Sequence, residues 1–196
     1  MILEGVVTTL DSSGVLNIAP MGPRLIQGFD RFLLRPFRTS TTYRNLKIKG
    51  EGVLHVTDDV LFIAKAAIGE AVDAPNRPAS QVEGRVLLNS CRYYEFRIIQ
   101  QDEKPERADF LAETVEMGRL RDFLGFNRAK HAVIEAAILA TRVNLLPVGT
   151  IINEFEKLKV IVSKTAGPAE TEAFLLLETY VQKLRSLAPV KGSTRS

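Results

Sequence analysis

Residues 35–50 read RPFRTSTTYRNLKIKG, with Thr39, Ser40, Thr41 and Thr42 in an unbroken run. Arg35, Arg38 and Arg44 surround the run and Asn45 follows it. Short hydroxyls, backbone N–H groups and guanidinium forks are the donors that hold a phosphate from several sides. A short helix over TTYRNLKI would add its N-terminal N–H groups to that set. The same residues also suit a helix cap followed by a solvated loop, and both readings stand. A third comes from charge: from Arg24 to Gly50 the chain carries seven basic residues and one acidic one, Asp30. Phe29, Phe32, Phe37 and Tyr43 are interleaved, as in a basic groove with aromatic platforms for single strands. Phenylalanines at strand spacing suit a core better, and a net charge of +3 is small for a polyanion binder, so nucleic acid is the less favoured reading.

A second constellation lies at Arg128, His131 and Glu135. On a helix these side chains, with Arg142, fall within an arc of about 60°. Val133, Ala136, Ala137 and Ala140 take the opposite side. Such a stripe serves as a solvated face, or meets a substrate or an interface. Other chemistry is poorly provided for. Cys91, His55 and His131 are far apart, so no zinc-ligand spacing arises and no metal is expected. No Ser-His-Asp or Cys-His arrangement is visible, and neither glycine-rich nucleotide loop pattern occurs.

The elements that must position these residues change character near residue 122. Before it the signals are mainly β: ILEGVVTTL, VLNIAP ended by PMGP, FDRFLLRP, EGVLHVT, and two long strands joined at DEKPE. DDVLFIAKAAIG reads as a short helix capped by Asp58 or Asp59. In EGVLHVT the alternation puts Val53 and His55 on one face, Leu54 and Val56 on the other. After it the periodicity is helical. One helix starts with Asn127 as cap and stops before Pro147, one spans Thr150 to Gly167, and one begins near Pro168. The expectation is therefore a mainly β fold with α: a β-barrel over residues 1–122, three helices over 123–189, and a flexible tail over 190–196.

Composition sets the bounds. The chain has 196 residues, 45% hydrophobic and 25% charged, ordinary for a globular protein. The single cysteine rules out an internal disulfide and fits a reducing cytosol. No apolar run is long enough to span a bilayer, and MILEGVVTTLD lacks a basic leader region, so a cytoplasmic location is expected.

GVLNIAPMG followed by RPFRTSTTYRNLKIKGEGVLHVTDD resembles the FMN-binding split-barrel superfamily of flavin reductases and flavoredoxin. Its members carry an N-x-A-P-M-G-like turn, a Ser/Thr-rich phosphate loop and a G-x-x-V-N-V strand. With GFNRAKHAVIEAAILATR added, the chain resembles the DUF447 family within that superfamily, which adds a C-terminal helical part. The resemblance implies a homodimer of split barrels with FMN at its interface. Carried over by motif, Arg38, Thr39, Ser40, Thr41, Thr42 and Asn45 would face the phosphate and ribityl chain. Ala19, Pro20, Met21 and Gly22 would line the isoalloxazine edge. His55 departs from the pattern, standing where asparagine is usual. The function so implied is an oxidoreductase of flavin-reductase or flavoredoxin type, with NAD(P)H or another electron donor. The alternatives are a non-catalytic FMN carrier and a nucleic-acid-binding barrel.

Overall fold

The segment up to Val56 supplies β1 (Gly5–Leu10), β2 (Leu16–Met21), β3 (Arg24–Gln27), β4 (Arg31–Leu34), α1 (Thr41–Lys49) and β5 (Glu51–Val56). After an excursion come β6 (Asn76–Pro78), β7 (Arg85–Leu87), β8 (Arg92–Glu103) and β9 (Ala108–Arg119). The computed structural model describes residues 1–70, 72 and 74–187, and the chain divides into two units. The strands and α1 form the first unit, from residues 1–59 and 72–124.

Seven of these strands form one sheet in the order β2-β1-β5-β8-β9-β4-β3. Residues ahead of β1 bend the sheet back on itself: Leu3 N–H donates to the Pro23 carbonyl at 3.0 Å, and Leu25 N–H to the Met1 carbonyl at 3.0 Å. Register shifts between Glu95 and Phe96 and between Ile98 and Gln100 bend the long β8–β9 pair, as bulges do. The barrel closes around Val7, Phe32, Leu34, Leu54, Phe96 and Phe110, with Phe32 and Phe96 edge to face at 5.4 Å. Glycine is required at position 52. A Cβ there would lie 2.6 Å from the Thr8 carbonyl oxygen, so β1 and β5 could not approach. The expected alternation in β5 appears as two buried faces. Leu54 faces the barrel core, while Val53 packs with Val86 and Tyr93 beneath the β6–β7 hairpin.

The second unit takes α2 (Val60–Ala67), α3 (Arg128–Ala140), α4 (Val148–Thr165) and α5 (Pro168–Leu187). Its core joins the alanine face of α3 to Ile151, Phe155 and Val162 of α4 and to Phe174, Leu177 and Val181 of α5. Asn127 caps α3 as expected, its side chain accepting the Lys130 N–H at 3.1 Å. Among the helices the structure differs from the sequence reading. The helix called α3 ends at Ala140 rather than near Pro147, where the Thr141 hydroxyl donates to the Ile138 carbonyl and competes with helical bonding. The helix α2 does not serve the barrel. Val60 and Ala64 are buried in the helical core, so a boundary near residue 122 does not separate the two units. The expected tail at 190–196 lies outside the described residues.

Candidate functional site

The helix α1 is fixed at both ends by its own sequence. Ser40 is the N-cap, with extended backbone, and its hydroxyl oxygen accepts the Tyr43 N–H at 3.1 Å while donating to the Phe37 carbonyl at 2.7 Å. Gly50 ends the helix at φ 66°, a conformation that favours glycine. Lys47 and Lys49 occupy the last turn, and the first turn carries no acid. The positive end of the helix dipole is therefore left without a built-in carboxylate.

Four polar side chains pin this first turn to the barrel. The Asn17 amide donates to the Thr42 hydroxyl at 3.1 Å and to the Thr9 hydroxyl at 3.2 Å. The Asn45 amide donates to the same Thr9 hydroxyl at 3.0 Å. Asn17 opens the NIAPMG motif and Thr42 closes the hydroxyl run, so the two motifs meet in space across 25 residues of chain. This network divides the predicted residues. Thr42 and Asn45 are buried and hold the fold, and Ser40 is a cap. Thr39 and Thr41 are exposed at the helix start. Arg44, which sequence reasoning left outside the site, donates from its guanidinium to the Thr41 hydroxyl at 3.0 Å. Arg38 is exposed and lies 3.1 Å from the Glu103 carboxylate, which also accepts from Lys47 at 2.7 Å and from the Tyr43 hydroxyl at 3.0 Å. The Lys47 and Tyr43 hydrogen bonds hold the Glu103 carboxyl below the usual carboxylate range.

Ala19, Pro20 and Met21 lie half-buried on β2, and Gly22 follows it. This strand is at an edge of the sheet, which is why Pro20 can occupy it without breaking the ladder. PMGP was expected to break the strand, yet β2 runs through Met21, whose side chain packs on the barrel core. From Asn17 to Met21 the strand covers about 13 Å. One continuous edge thus leads from the first turn of α1 along the predicted ring-lining residues.

His55 is fully buried and structural. Its Nε2 accepts the Leu87 N–H at 3.0 Å and its Nδ1 lies 3.3 Å from the Val6 carbonyl oxygen. Burial lowers its pKa to about 4. The predicted stripe on α3 is realised in the helical unit. Arg128, His131 and Glu135 are exposed and line a cavity of about 290 Å³ with Phe126, Leu158 and Ile161. The Phe126 ring meets His131 edge to face at 5.9 Å.

The basic stretch is largely neutralised by its surroundings. Arg31, Arg35, Arg38, Lys47 and Lys49 all pair with carboxylates. Phe32 is fully buried, Phe29 stacks on Tyr94 at 4.2 Å, and Phe37 lies under the Arg107 guanidinium. Among the described residues there is no group of three or more His, Cys, Asp or Glu that could hold a metal, and no helix long and apolar enough to cross a membrane.

Two family models match, described as "Protein of unknown function (DUF447) N-terminal domain" over residues 3–121 and "Protein of unknown function (DUF447)" over residues 127–179. The chain belongs to the DUF447 family. Among solved structures, this DUF447 chain is similar to the FMN-bound protein MM1853 from Methanosarcina mazei. That likeness has a TM-score of 0.79 at 20% identity, and covers 91% of this chain and 94% of that one. The flavoredoxin of Desulfovibrio vulgaris (Miyazaki F) matches with a TM-score of 0.51 at 14% identity, over 60% of this chain and 69% of its own. The 2-nitrobenzoate 2-nitroreductase NbaA of Pseudomonas fluorescens matches with a TM-score of 0.52 at 18% identity, over 59% and 64%. The DUF447 chain therefore has the split-barrel fold with C-terminal helices. No curated protein matches it.

Proposed function

We propose that this DUF447 protein binds FMN at the first turn of α1 and along the edge strand β2, and uses it as an oxidoreductase of flavin-reductase or flavoredoxin type. The observation that carries the reading is the Asn17–Thr42 hydrogen bond, which brings the NIAPMG strand to an acid-free, hydroxyl-bearing helix N-terminus. The donor set suits a phosphate. Thr39 and Thr41 present hydroxyls, Arg44 stands over Thr41, and Arg38 can turn from Glu103 to an incoming anion. Thr42 and Asn45 act one step back, holding the turn rigid through Thr9 and Asn17. Ala19 to Gly22 offer edge-strand backbone and the Met21 thioether to a flat ring. FMN, when bound, supplies the hydride or electron transfer itself, so the protein need only hold, orient and shield it. Support also comes from MM1853, a family member described as FMN-bound, and from its flavoredoxin and nitroreductase neighbours.

NAD(P)H or a comparable donor is the expected reductant, a homodimer the expected assembly, and Arg128, His131 and Glu135 a surface for substrate or interface. Purified protein should be yellow, or become so with FMN. A colourless protein that cannot be reconstituted would end the reading. Replacing Thr39 and Thr41 by alanine should weaken FMN binding by about 1 kcal/mol or more per lost donor. Reduction of the bound flavin by NADH or NADPH, with turnover to an acceptor, separates an oxidoreductase from a flavin carrier.

A further inference from the structure

The barrel carries a second cavity that the FMN reading does not use. Its volume is about 490 Å³, and it opens among Arg92, Arg119 and Arg121, with Phe29, Tyr94 and Phe123 as its ring surfaces. It lies at the end of β8 and β9 where Arg92 faces Arg119 in register. Two arginines directly opposite each other on neighbouring strands repel, and a sheet keeps such a pair at a cost in stability. Arg119 is partly neutralised by an ion pair with Asp122. Arg121 is held by Asp58 at 2.5 Å and donates to the Asn89 carbonyl at 2.9 Å, which fixes its guanidinium at the cavity. Arg92 differs. Among the described residues no carboxylate pairs with it. Among the described residues Asp122 is the one acid on the cavity wall. The wall thus combines arginine side chains, suited to a dianionic phosphate, with aromatic surface suited to a ring. The volume falls within the range of pockets for cofactor-sized ligands.

We propose that this cavity is a binding site for a phosphorylated heterocycle of mononucleotide size, held by Arg92 and Arg119 through its phosphate and by Phe29 and Phe123 through its ring. The site is separate from the first turn of α1 and does not depend on the FMN reading. Calorimetric titration of the full chain, with FMN at saturating concentration throughout, tests it. The probes are AMP, UMP, adenosine and inorganic phosphate. At least one nucleotide should bind, at least tenfold more tightly than either adenosine or phosphate. Arg92→Gln and Arg119→Gln should each weaken that binding tenfold or more, with the far-ultraviolet circular dichroism and the FMN affinity unchanged. Because both side chains are exposed, these variants should fold. Equal binding of phosphate and nucleotide would mean a surface charge effect only. That result, no binding of either nucleotide at millimolar concentration, or unaltered binding in both variants overturns the proposal.

Discussion

At His55 the Nε2 atom accepts the Leu87 N–H and Nδ1 faces the Val6 carbonyl, so the ring is neutral with its proton on Nδ1. Protonating Nε2 would set two N–H groups against each other in a fully buried site. The folded pKa is about 4 against an ordinary 6.5. Between these values the unfolded chain binds the proton and the folded one does not, so stability falls as pH falls from about 6.5 to about 4. The loss should total about 3 kcal/mol, read as a shift in urea midpoint across that window. Asparagine at position 55 should abolish that part of the pH dependence, and an unchanged slope in His55→Asn would assign it elsewhere. Glu95 makes a different demand. Fully buried, it accepts both the Ser80 and Gln81 N–H groups and the Ser80 hydroxyl, and so folds the loop after β6 over the outer face of the sheet. Glu95→Ala leaves these donors unmet and should cost at least about 3 kcal/mol of stability, together with faster amide exchange at Ser80 and Gln81.

For the elements, α1 separates binding from folding within one run of hydroxyls. Ser40→Ala removes the cap and should cost about 1 kcal/mol in denaturant unfolding. Thr42→Val removes an acceptor of Asn17 and should act in the same direction. Thr41→Ala, at an exposed position, should leave stability within about 0.5 kcal/mol while lowering FMN affinity. If all three shifted stability alone, α1 would be only a packing helix. The sequence shows this division imperfectly, because a cap, a buried network and an anion cradle draw on the same residue types. Only the structure shows that Asn17 reaches Thr42 and that Arg44 covers Thr41. The long strands were legible from their β-type runs and the turn at DEKPE, and α3 from its cap, while its alanine face is buried in the structure. The extent of β2 was not, since Pro20 breaks a strand only where its missing N–H is needed, and on an edge it is not.

For the whole molecule, what local pattern could not show was where α2 belongs. Its sequence reads as a helix between strands, and it is one. Its partners, however, are in α3 and α5, more than sixty residues away, and periodicity carries no information about which distant face will cover an apolar one. The consequence is that the helical unit is completed by a segment inserted within the barrel sequence. A chain ending at Leu124 would carry every strand of the barrel yet leave Val60 and Ala64 without their core. Exposed apolar surface of that kind drives association. The fragment 1–124 should therefore aggregate or bind a hydrophobic dye strongly, and Val60→Lys with Ala64→Glu should restore its solubility. The same pair in the full chain should instead destabilise it by about 3 kcal/mol or more, since two charges would enter a closed core. A wild-type fragment 1–124 that stays monomeric and dye-silent would show that α2 needs no cover from the helical unit.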